Sequence, residues 1–176
     1  MTAEGLTAAS VTAQVAAAVA AGSVKLSGDL IQTVTSATGA AQAITTSIPG
    51  DDTIPQSSEG TQILSVTLTP ANSANLLEIE AAIYGAPAAA GSLTGAFFQD
   101  ANVNALAAGF HYQVTAGGPQ HLVMKHIVAA GTTSATTIKL NVGHSSGSTF
   151  TLNGVSGGRY FGGVLLTRLT VRELKA

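Results

Sequence analysis

The sequence lacks cysteine and tryptophan altogether, and charged residues make up only 9% of its 176 positions. Without cysteine the chain can form no disulfide, no thiolate nucleophile and no cysteine-ligated zinc site. Its 7 basic and 9 acidic residues are scattered along the chain and give a net charge of −2. Binding to nucleic acid or to an anionic membrane surface depends on clustered lysine and arginine, so the sequence predicts neither partner.

The N-terminal stretch "VTAQVAAAVAAGSV", residues 11–24, is uncharged and rich in small residues but has the marks of neither a signal peptide nor a membrane span. A basic segment before it is missing, and Glu4 stands there instead. Threonine and glutamine interrupt it, so no run of about 18 apolar residues is available to cross a bilayer. We therefore expect a protein that is made in the cytoplasm, not exported and not inserted in a membrane.

Val11, Val15 and Val19 recur at a spacing of four, which predicts a short helix with a narrow apolar seam that ends near Gly22. A helix of about four turns is marginally stable in isolation and needs a partner surface. The sequence thus predicts that these valines anchor the chain to a partner surface or form a small homotypic bundle. A frayed, alanine-rich terminus is the alternative.

Residues 23–50 mix β-branched residues with glycine, serine and threonine and show no sustained period, which is typical of an extended arm or an edge strand. The run Pro49-Gly50-Asp51-Asp52 then marks a strong break. We accordingly divide the chain into an N-terminal helix and extended anchoring arm, residues 1–45, and a head domain, residues 46–176.

After Gly60 the sequence becomes a series of strands. Leu64, Val66 and Leu68 alternate with small polar residues, and residues 77–84 repeat the pattern. Further strands are predicted at 92–99, 104–114, 119–128, 135–143, 148–153 and 158–173. Many short strands with turn signals and no helix among them predict an all-β fold, an antiparallel jelly-roll β-sandwich.

The stretch "GAFFQDANVNALAAG", residues 95–109, could hold a catalytic carboxylate or turn a hairpin. Its Asp and Asn residues favour turn conformations, so we interpret it as a hairpin turn. The "GHSSG" of residues 143–147 matches the G-x-S-x-G pattern of hydrolases, but a strand-like segment follows it and no histidine occurs after His144. We interpret that stretch as a hairpin turn as well.

Glu78 and Glu80 share one strand face at a spacing that resembles the paired carboxylates of glycosidases. Arg168 and Arg172 share a face of the last strand, so cross-strand ion pairs are the simpler explanation of the two carboxylates and are favoured over catalysis. No catalytic residue and no cofactor is therefore predicted. His126 lies on a face with Leu122 and other apolar residues, which favours a core histidine.

The possible ligands are His111, His121, His126 and His144. His121 and His126 differ by five positions, so they face opposite sides of a strand, and neither has a carboxylate at close spacing; no metal site is predicted. A histidine near a threefold axis remains the one open route to a metal.

The last predicted strand is apolar on two faces, with Leu165, Leu169 and Val171 on one and Val164 and Leu166 on the other. A strand apolar on both faces is covered on both sides. We therefore predict a trimer interface at Tyr160, Phe161, Val164 and Leu166, where flanking glycines permit close backbone approach. The alternative is a fully internal strand of a monomeric sandwich.

Several stretches, including "DDTIPQSSEGTQILSVTLTPANSANLLEIEA", "HIVAAGTTSATTIKLNVG" and "TFTLNGVSGGRYFGGV", resemble a domain found at the C-terminal end of tail-fibre and other virion-surface proteins of tailed bacteriophages. The resemblance covers residues 45–174. It implies a trimeric jelly-roll head, similar in architecture to tumour-necrosis-factor and C1q-like heads, displayed on the virion surface.

From the sequence we expect a structural virion protein without enzymatic activity: a homotrimer that contacts other virion proteins at the capsid or the fibre base. Both placements stay open, a capsid decoration or cement protein and a fibre tip that touches a host surface glycan or receptor. The alternative from another class is a glycan-binding, lectin-like module or a carbohydrate-active enzyme. The absence of tryptophan and the presence of only 3 tyrosines leave few aromatic rings for a glycan groove.

Overall fold

The computed structural model describes residues 12–14, 16–17, 28–145 and 147–176. Residues 12–14 and 16–17 are helical, within the stretch where the valine spacing predicts a helix. Val11, Val15 and Val19 themselves lie outside the described residues. In the described part of the chain, no helix combines the length and the apolar character that crossing a bilayer requires.

Most of the described chain is β-strand. The strands are β1 (Leu30–Thr38), β2 (Gln42–Ile44), β3 (Thr61–Leu68), β4 (Leu76–Pro87), β5 (Gly91–Gln99), β6 (Ala107–Gln113), β7 (Gln120–Ala129), β8 (Thr136–His144), β9 (Phe150–Leu152), β10 (Gly154–Val155), β11 (Gly158–Arg159) and β12 (Thr167–Leu174). A 3-10 turn, Phe161–Gly163, precedes β12.

The long strands form two antiparallel sheets. Sheet I has the order β1-β12-β4-β7, and the short strands β9 and β2 extend it next to the end of β4. Sheet II has the order β3-β8-β5-β6. Along the chain, the eight long strands enter the sheets in the order I, II, I, II, II, I, II, I. This is the connectivity of a jelly roll, so the predicted fold class is confirmed.

Alternating residues of the two sheets build the core. On β4 the side chains of Leu77, Ile79 and Ile83 are fully buried, whereas the glutamates between them face outward. On β8 Ile138 and Leu140 are likewise fully buried. The strand period of two thus separates a dry inner face from a wet outer face.

Residues 30–44 belong to sheet I, in which β1 is an edge strand. The extended arm expected for residues 1–45 is therefore wrong for this part of the chain, whereas the edge strand, the other possibility given for residues 23–50, is confirmed for β1. β1 pairs with β12 along its whole length, and β2 pairs with β9. Of the inner-face positions Gln32, Val34 and Ser36, only one is apolar, so the strand has no visible hydrophobic period. Pairing with β12 holds β1 in the sheet, and the sequence of β1 itself shows little of the alternation that predicts a strand.

The last strand is shorter than predicted. It begins at Thr167 and not at residue 158, because Phe161, Gly162 and Gly163 have positive φ angles that no strand can contain. Val164 and Leu166 therefore lie in the connection before β12. The outer face of β12 carries Arg168 and Arg172, so the strand itself is not apolar on both faces.

The stretch at residues 95–109 is a hairpin turn, as predicted, between β5 and β6. Asp100 adopts a φ of 51°, and its carboxylate accepts hydrogen bonds from the Thr137 amide and the Thr136 hydroxyl. The Lys139 ammonium donates to the carbonyl oxygen of Asp100. The carboxylate in this stretch therefore fixes a turn.

A buried carboxylate fastens one end of sheet I. Glu173 is fully buried on the inner face of β12 and accepts hydrogen bonds from Gln32 Nε2 (2.6 Å), Asn75 Nδ2 (2.6 Å) and the Ala71 amide (2.8 Å). Burial by itself would raise the pKa of Glu173. The donated hydrogen bonds outweigh burial and lower the pKa below its ordinary value of 4.5.

We expect the stability of the protein to fall at acid pH in part because of Glu173. A carboxylate with a lowered folded-state pKa stabilises the fold fully above pH 4.5 and loses that contribution as pH falls through the folded-state pKa. At neutral pH, Glu173→Gln should lower the free energy of unfolding by about 1–3 kcal/mol, because the NH2 group of the glutamine would face hydrogen-bond donors where a carboxylate oxygen now accepts from them. Urea denaturation from neutral to acid pH should show that the difference in the free energy of unfolding between wild type and variant becomes smaller as the pH falls.

Glu80→Gln is the matched control, since Glu80 lies on the exposed face of the adjacent strand. It should cost less than about 1 kcal/mol at neutral pH. A gap between wild type and Glu173→Gln that stays constant down to acid pH would contradict the assignment.

Candidate interaction surface

The paired carboxylates of β4 form cross-strand ion pairs on the outer face of sheet I. One guanidinium nitrogen of Arg172 lies 2.9 Å from Glu78 and 3.0 Å from Glu80, and Lys125 on β7 lies 2.7 Å from Glu78. The hydrogen bond from Lys125, assisted by Arg172, lowers the pKa of Glu78, and Glu80 and Glu78 raise the pKa of Arg172. Of the two arginines that the sequence analysis named, Arg172 contacts both glutamates. Arg168 stands opposite Ala82, one outward-facing pair beyond Glu80.

The described residues of the "GHSSG" stretch lie where the chain passes from one sheet to the other, and not in the hairpin that its sequence predicted. β8 ends at His144 in sheet II, and β9 begins at Phe150 in sheet I. The Ser145 hydroxyl accepts a hydrogen bond from the Ser92 amide. His144 is fully buried beside Phe150, and burial lowers its pKa. The geometry that a nucleophile elbow requires, strand then helix, is replaced here by strand then strand.

The remaining histidines are distributed over both faces of the sandwich. His121 faces outward and stacks on Tyr84, with ring centroids 4.2 Å apart and planes 6° apart, whereas His126 faces inward beside Met124. His111 donates its Nδ1–H to the carbonyl oxygen of His121 at 3.0 Å. Across the described ranges, no three histidine or carboxylate side chains converge as a metal site would require.

The predicted interface residues lie in the segment between β11 and β12. Phe161 and Val164 are 75% and 79% exposed, and the Tyr160 ring lies 5.9 Å from that of Phe161. Leu166 is half-buried and packs against Gly39. The structure thus exposes Phe161 and Val164, whereas Tyr160 and Leu166 are half-buried, and Leu166 contacts the connection between β1 and β2.

A cavity of about 530 Å³ opens beside this segment. Its walls are the stacked pair Tyr84 and His121 on one side and Tyr160, Phe161 and Leu165 on the other. Gly85, His111, Pro119 and Gln120 complete the lining. The lining is mostly aromatic and apolar, so the cavity is suited to an apolar or ring-shaped group.

Gln120 supplies the polar part of the cavity. Its side chain is 2% exposed, and its amide nitrogen donates to the carbonyl oxygens of His111 (2.7 Å) and Gly91 (3.3 Å). Its Oε1 is buried and has no hydrogen-bond partner among the residues that the structure describes. A buried carbonyl oxygen without a donor costs free energy, so a group that occupies this region gains by bringing an N–H or O–H.

One residue that the sequence analysis did not single out, Asn153, holds the surface together. Its Nδ2 donates to the carbonyl oxygens of Thr38 (2.8 Å) and Ala40 (3.1 Å), and its Oδ1 accepts from the amide and hydroxyl of Thr167. Its amide donates to the carbonyl of Tyr84 (2.8 Å), and its carbonyl accepts from the amide of Tyr160 (2.9 Å).

Asn153 thus joins both walls of the cavity to the ends of β1 and β12. Its φ is 53°, a left-handed conformation that asparagine tolerates better than most residues. The dipeptide Asn153-Gly154 is a turn signal visible in the sequence. That signal predicts the turn and says nothing of the four bonds made by the side chain.

No protein-family model matches the chain, and no curated protein matches it significantly. Among solved structures, the Eiger TNF of S. frugiperda is 10% identical, with a TM-score of 0.48 over 83% of this chain and 96% of that one. The structure of infectious bursal disease virus Gt strain is 14% identical, with a TM-score of 0.42 over 85% of this chain and 39% of that one.

A xylan-binding domain, CBM22-1 of Paenibacillus barcinonensis Xyn10C, is 13% identical, with a TM-score of 0.39 over 87% of this chain and 99% of that one. Likenesses at these scores carry no argument about function. The strand order of the chain itself defines its fold, and its own surfaces must carry any functional proposal.

Replacing Asn153 should destabilise the protein and loosen the segment before β12. We expect Asn153→Ala to lower the free energy of unfolding by roughly 3 kcal/mol or more, because several buried groups lose their partners at once. Hydrogen exchange at the Tyr160 amide should become faster. Denaturant unfolding and exchange mass spectrometry measure the two effects.

Asn153→Gly separates side-chain loss from backbone strain, since glycine accepts the positive φ but makes none of the side-chain bonds. It should remain strongly destabilised, somewhat less than alanine. Asn102→Ala, in the exposed β5–β6 turn, is the matched control and should change stability by less than about 0.5 kcal/mol. Wild-type stability of Asn153→Gly would contradict the role given to the side chain.

Proposed function

We propose that the protein is a non-enzymatic structural component of a tailed-phage virion. In this proposal it forms a homotrimeric jelly-roll head on the particle surface, attached by its N-terminal arm. The observation that carries the proposal is the rigid, exposed apolar segment Tyr160–Val164. The resemblance of the sequence to phage virion-surface domains supplies the biological setting and the number of subunits.

The segment combines exposure with rigidity. Phe161 and Val164 are among the most exposed large apolar side chains of the described residues, yet Asn153 fixes the backbone just before them. A carbonyl oxygen of this segment, that of Gly163, lies so close to Gly39 that a Cβ there would collide with it. Apolar side chains that are exposed and held in one geometry are characteristic of interfaces.

Backbone strain at Phe161 points in the same direction. Its φ of 49° is unfavourable for a bulky side chain and costs on the order of 1–3 kcal/mol. The conformation turns the ring outward, beside the cavity, instead of into the core. A neighbouring subunit that covers the ring would offset both the backbone strain and the exposure of its apolar surface.

The outer face of sheet I gives this interface a polar neighbourhood. The ion pairs of Glu78, Glu80 and Arg172 lie on that face, and exposed Val123 follows on the side towards the Tyr84–His121 stack. A polar margin beside exposed apolar and aromatic side chains matches the anatomy of subunit contacts, in which a polar rim surrounds a core enriched in aromatic residues. Both placements, capsid decoration and fibre tip, use the same head and remain alternatives.

Sedimentation velocity of the purified protein should show a stable trimer. The double variant Phe161→Ser with Val164→Ser should dissociate, because each side chain buried at a contact contributes about 1.5–3 kcal/mol. The association constant should then fall at least about 100-fold. Circular dichroism should confirm that the variant retains its strands.

Val114→Ser is the matched control for this experiment. Val114 is 72% exposed, close to the value for Val164, but it follows β6 of sheet II. This variant should sediment like wild type. A wild-type protein that sediments as a monomer at high concentration would overturn the trimer.

The arm should be needed for attachment and dispensable for folding. Because β1 begins at Leu30, deletion of residues 1–27 leaves both sheets complete and should leave a folded trimer. That trimer should fail to join particles that lack the native protein. Changing Val11, Val15 and Val19 to serine should weaken incorporation nearly as much, since burying each valine is worth about 1.5–3 kcal/mol. Incorporation of the triple variant at the wild-type level would place the anchor elsewhere.

A further inference from the structure

The outer face of sheet II is only partly covered by the chain itself. Ile48, fully buried, packs over Ala96 and Phe98 together with Ala105, and so closes the half of the face formed by β8 and the end of β5. Over the other half, Phe110 is 70% exposed and Tyr112 59%. Two aromatic rings therefore stand side by side on an uncovered strand.

A groove of about 380 Å³ runs between this strand and the loop that follows Ile48. Residues of the loop, Pro49 to Pro55, form one wall, and Phe110 stands at the other. Ser92 and Thr94 form the floor. The strand register places Thr94 opposite Phe110 and Ser92 opposite Tyr112, so a hydroxyl lies beside each ring.

The loop wall is fixed in place before any ligand arrives. The Ala105 amide donates to the carbonyl oxygen of Pro55 (2.9 Å), and the Ser57 amide donates to that of Val103 (2.7 Å). Gly143 lets Ile48 lie directly on β8, where a Cβ would approach the Ile48 amide nitrogen to 2.5 Å. A preformed groove spares a ligand the entropy cost of ordering the loop.

Asp51 provides an ionised acceptor in the loop wall. The hydroxyl and the amide of Thr53 both donate to its Oδ1, and the hydroxyl contact is the main cause that lowers the pKa of Asp51. Asp51 is exposed, and both of these hydrogen bonds from Thr53 use its Oδ1. None of the residues that line the groove is basic.

We propose that this groove binds a neutral saccharide chain. A sugar ring presents an apolar C–H face, which Phe110 in the groove can stack against, and a rim of hydroxyls. Tyr112 lies two residues further along β6, is exposed beyond the lining of the groove, and can stack against a following ring of the chain. The rim can donate to Asp51 and exchange hydrogen bonds with Ser92 and Thr94. A purely apolar partner would leave the carboxylate and hydroxyls unpaired, and an anionic sugar would meet Asp51 and Asp52.

The proposed site goes beyond the structural function and lies on the sheet opposite to the proposed subunit contact. None of the residues that line the groove belongs to the Tyr160–Val164 segment or lines the cavity beside it. The site and the trimer can therefore fail independently. Sequence reasoning disfavoured glycan binding because aromatic residues are few, but the fold places two of them together on one exposed strand.

Titration calorimetry on the full chain tests the proposal with three neutral probes, cellotetraose, chitotetraose and maltotetraose, and with anionic trigalacturonate. We expect at least one neutral probe to bind wild type and trigalacturonate to bind more weakly. Phe110→Ser should reduce the affinity for that probe about tenfold or more through loss of stacking. Asp51→Asn keeps the bonds from Thr53 but removes the charge, and should reduce it about threefold.

Val114→Ser is the matched control, because Val114 is as exposed as Phe110 but does not line the groove. It should bind like wild type. Failure of all three neutral probes to bind at about 10 mM, or unchanged binding by Phe110→Ser, would overturn the proposal.

Sedimentation of the same variants separates the two proposals. Phe110→Ser should keep the wild-type assembly state, and its dissociation into monomers would show that the groove is a subunit contact and overturn the saccharide site. Saccharide binding by a monomeric wild type would support the site and overturn only the trimer.

Discussion

The proposed interaction surface depends on the hydrogen bonds of Asn153. Its side chain joins the end of β1 to the start of β12 through the carbonyl of Thr38 and the amide of Thr167, and its backbone joins Tyr84 to Tyr160. All of these groups are polar and several are buried, so they have few alternative partners. The exposed aromatic segment is rigid because one buried amide satisfies the backbone beneath it.

A second buried polar residue, Glu173, acts at the other end of β12. It fixes β1 through Gln32 and the connection before β4 through Asn75, so polar contacts close the sheet edge where apolar side chains are scarce. A chain with few large aromatic residues and an inner face that includes polar positions depends more than most on such contacts. The outer faces of the two sheets differ in their side chains. The side of sheet I has the ion pairs and the exposed aromatic segment, and the side of sheet II has the groove.

Much of the strand pattern could be predicted from the sequence, and the candidate surfaces could not. Leu64, Val66 and Leu68 alternate clearly, and Leu77, Ile79 and Ile83 do the same, because each strand has one dry and one wet face. For β1 the sequence left an extended arm and an edge strand as alternatives, because its inner face mixes glutamine and serine with one valine. The last strand was overextended because apolar residues at 160–166 resemble a strand, while positive φ angles at Phe161, Gly162 and Gly163 exclude one.

The sequence by itself determined the all-β class, the β5–β6 turn and the alternation of inner and outer residues, because these depend on neighbours two to four positions apart. Only the tertiary structure decided which distant residues meet. Arg172 pairs with Glu78 across 94 positions, and Asn153 reaches Thr38 across 115. Phe110 borders a groove whose other wall lies more than 50 positions earlier. Such contacts depend on the order of strands in the sheets, which local periodicity does not encode.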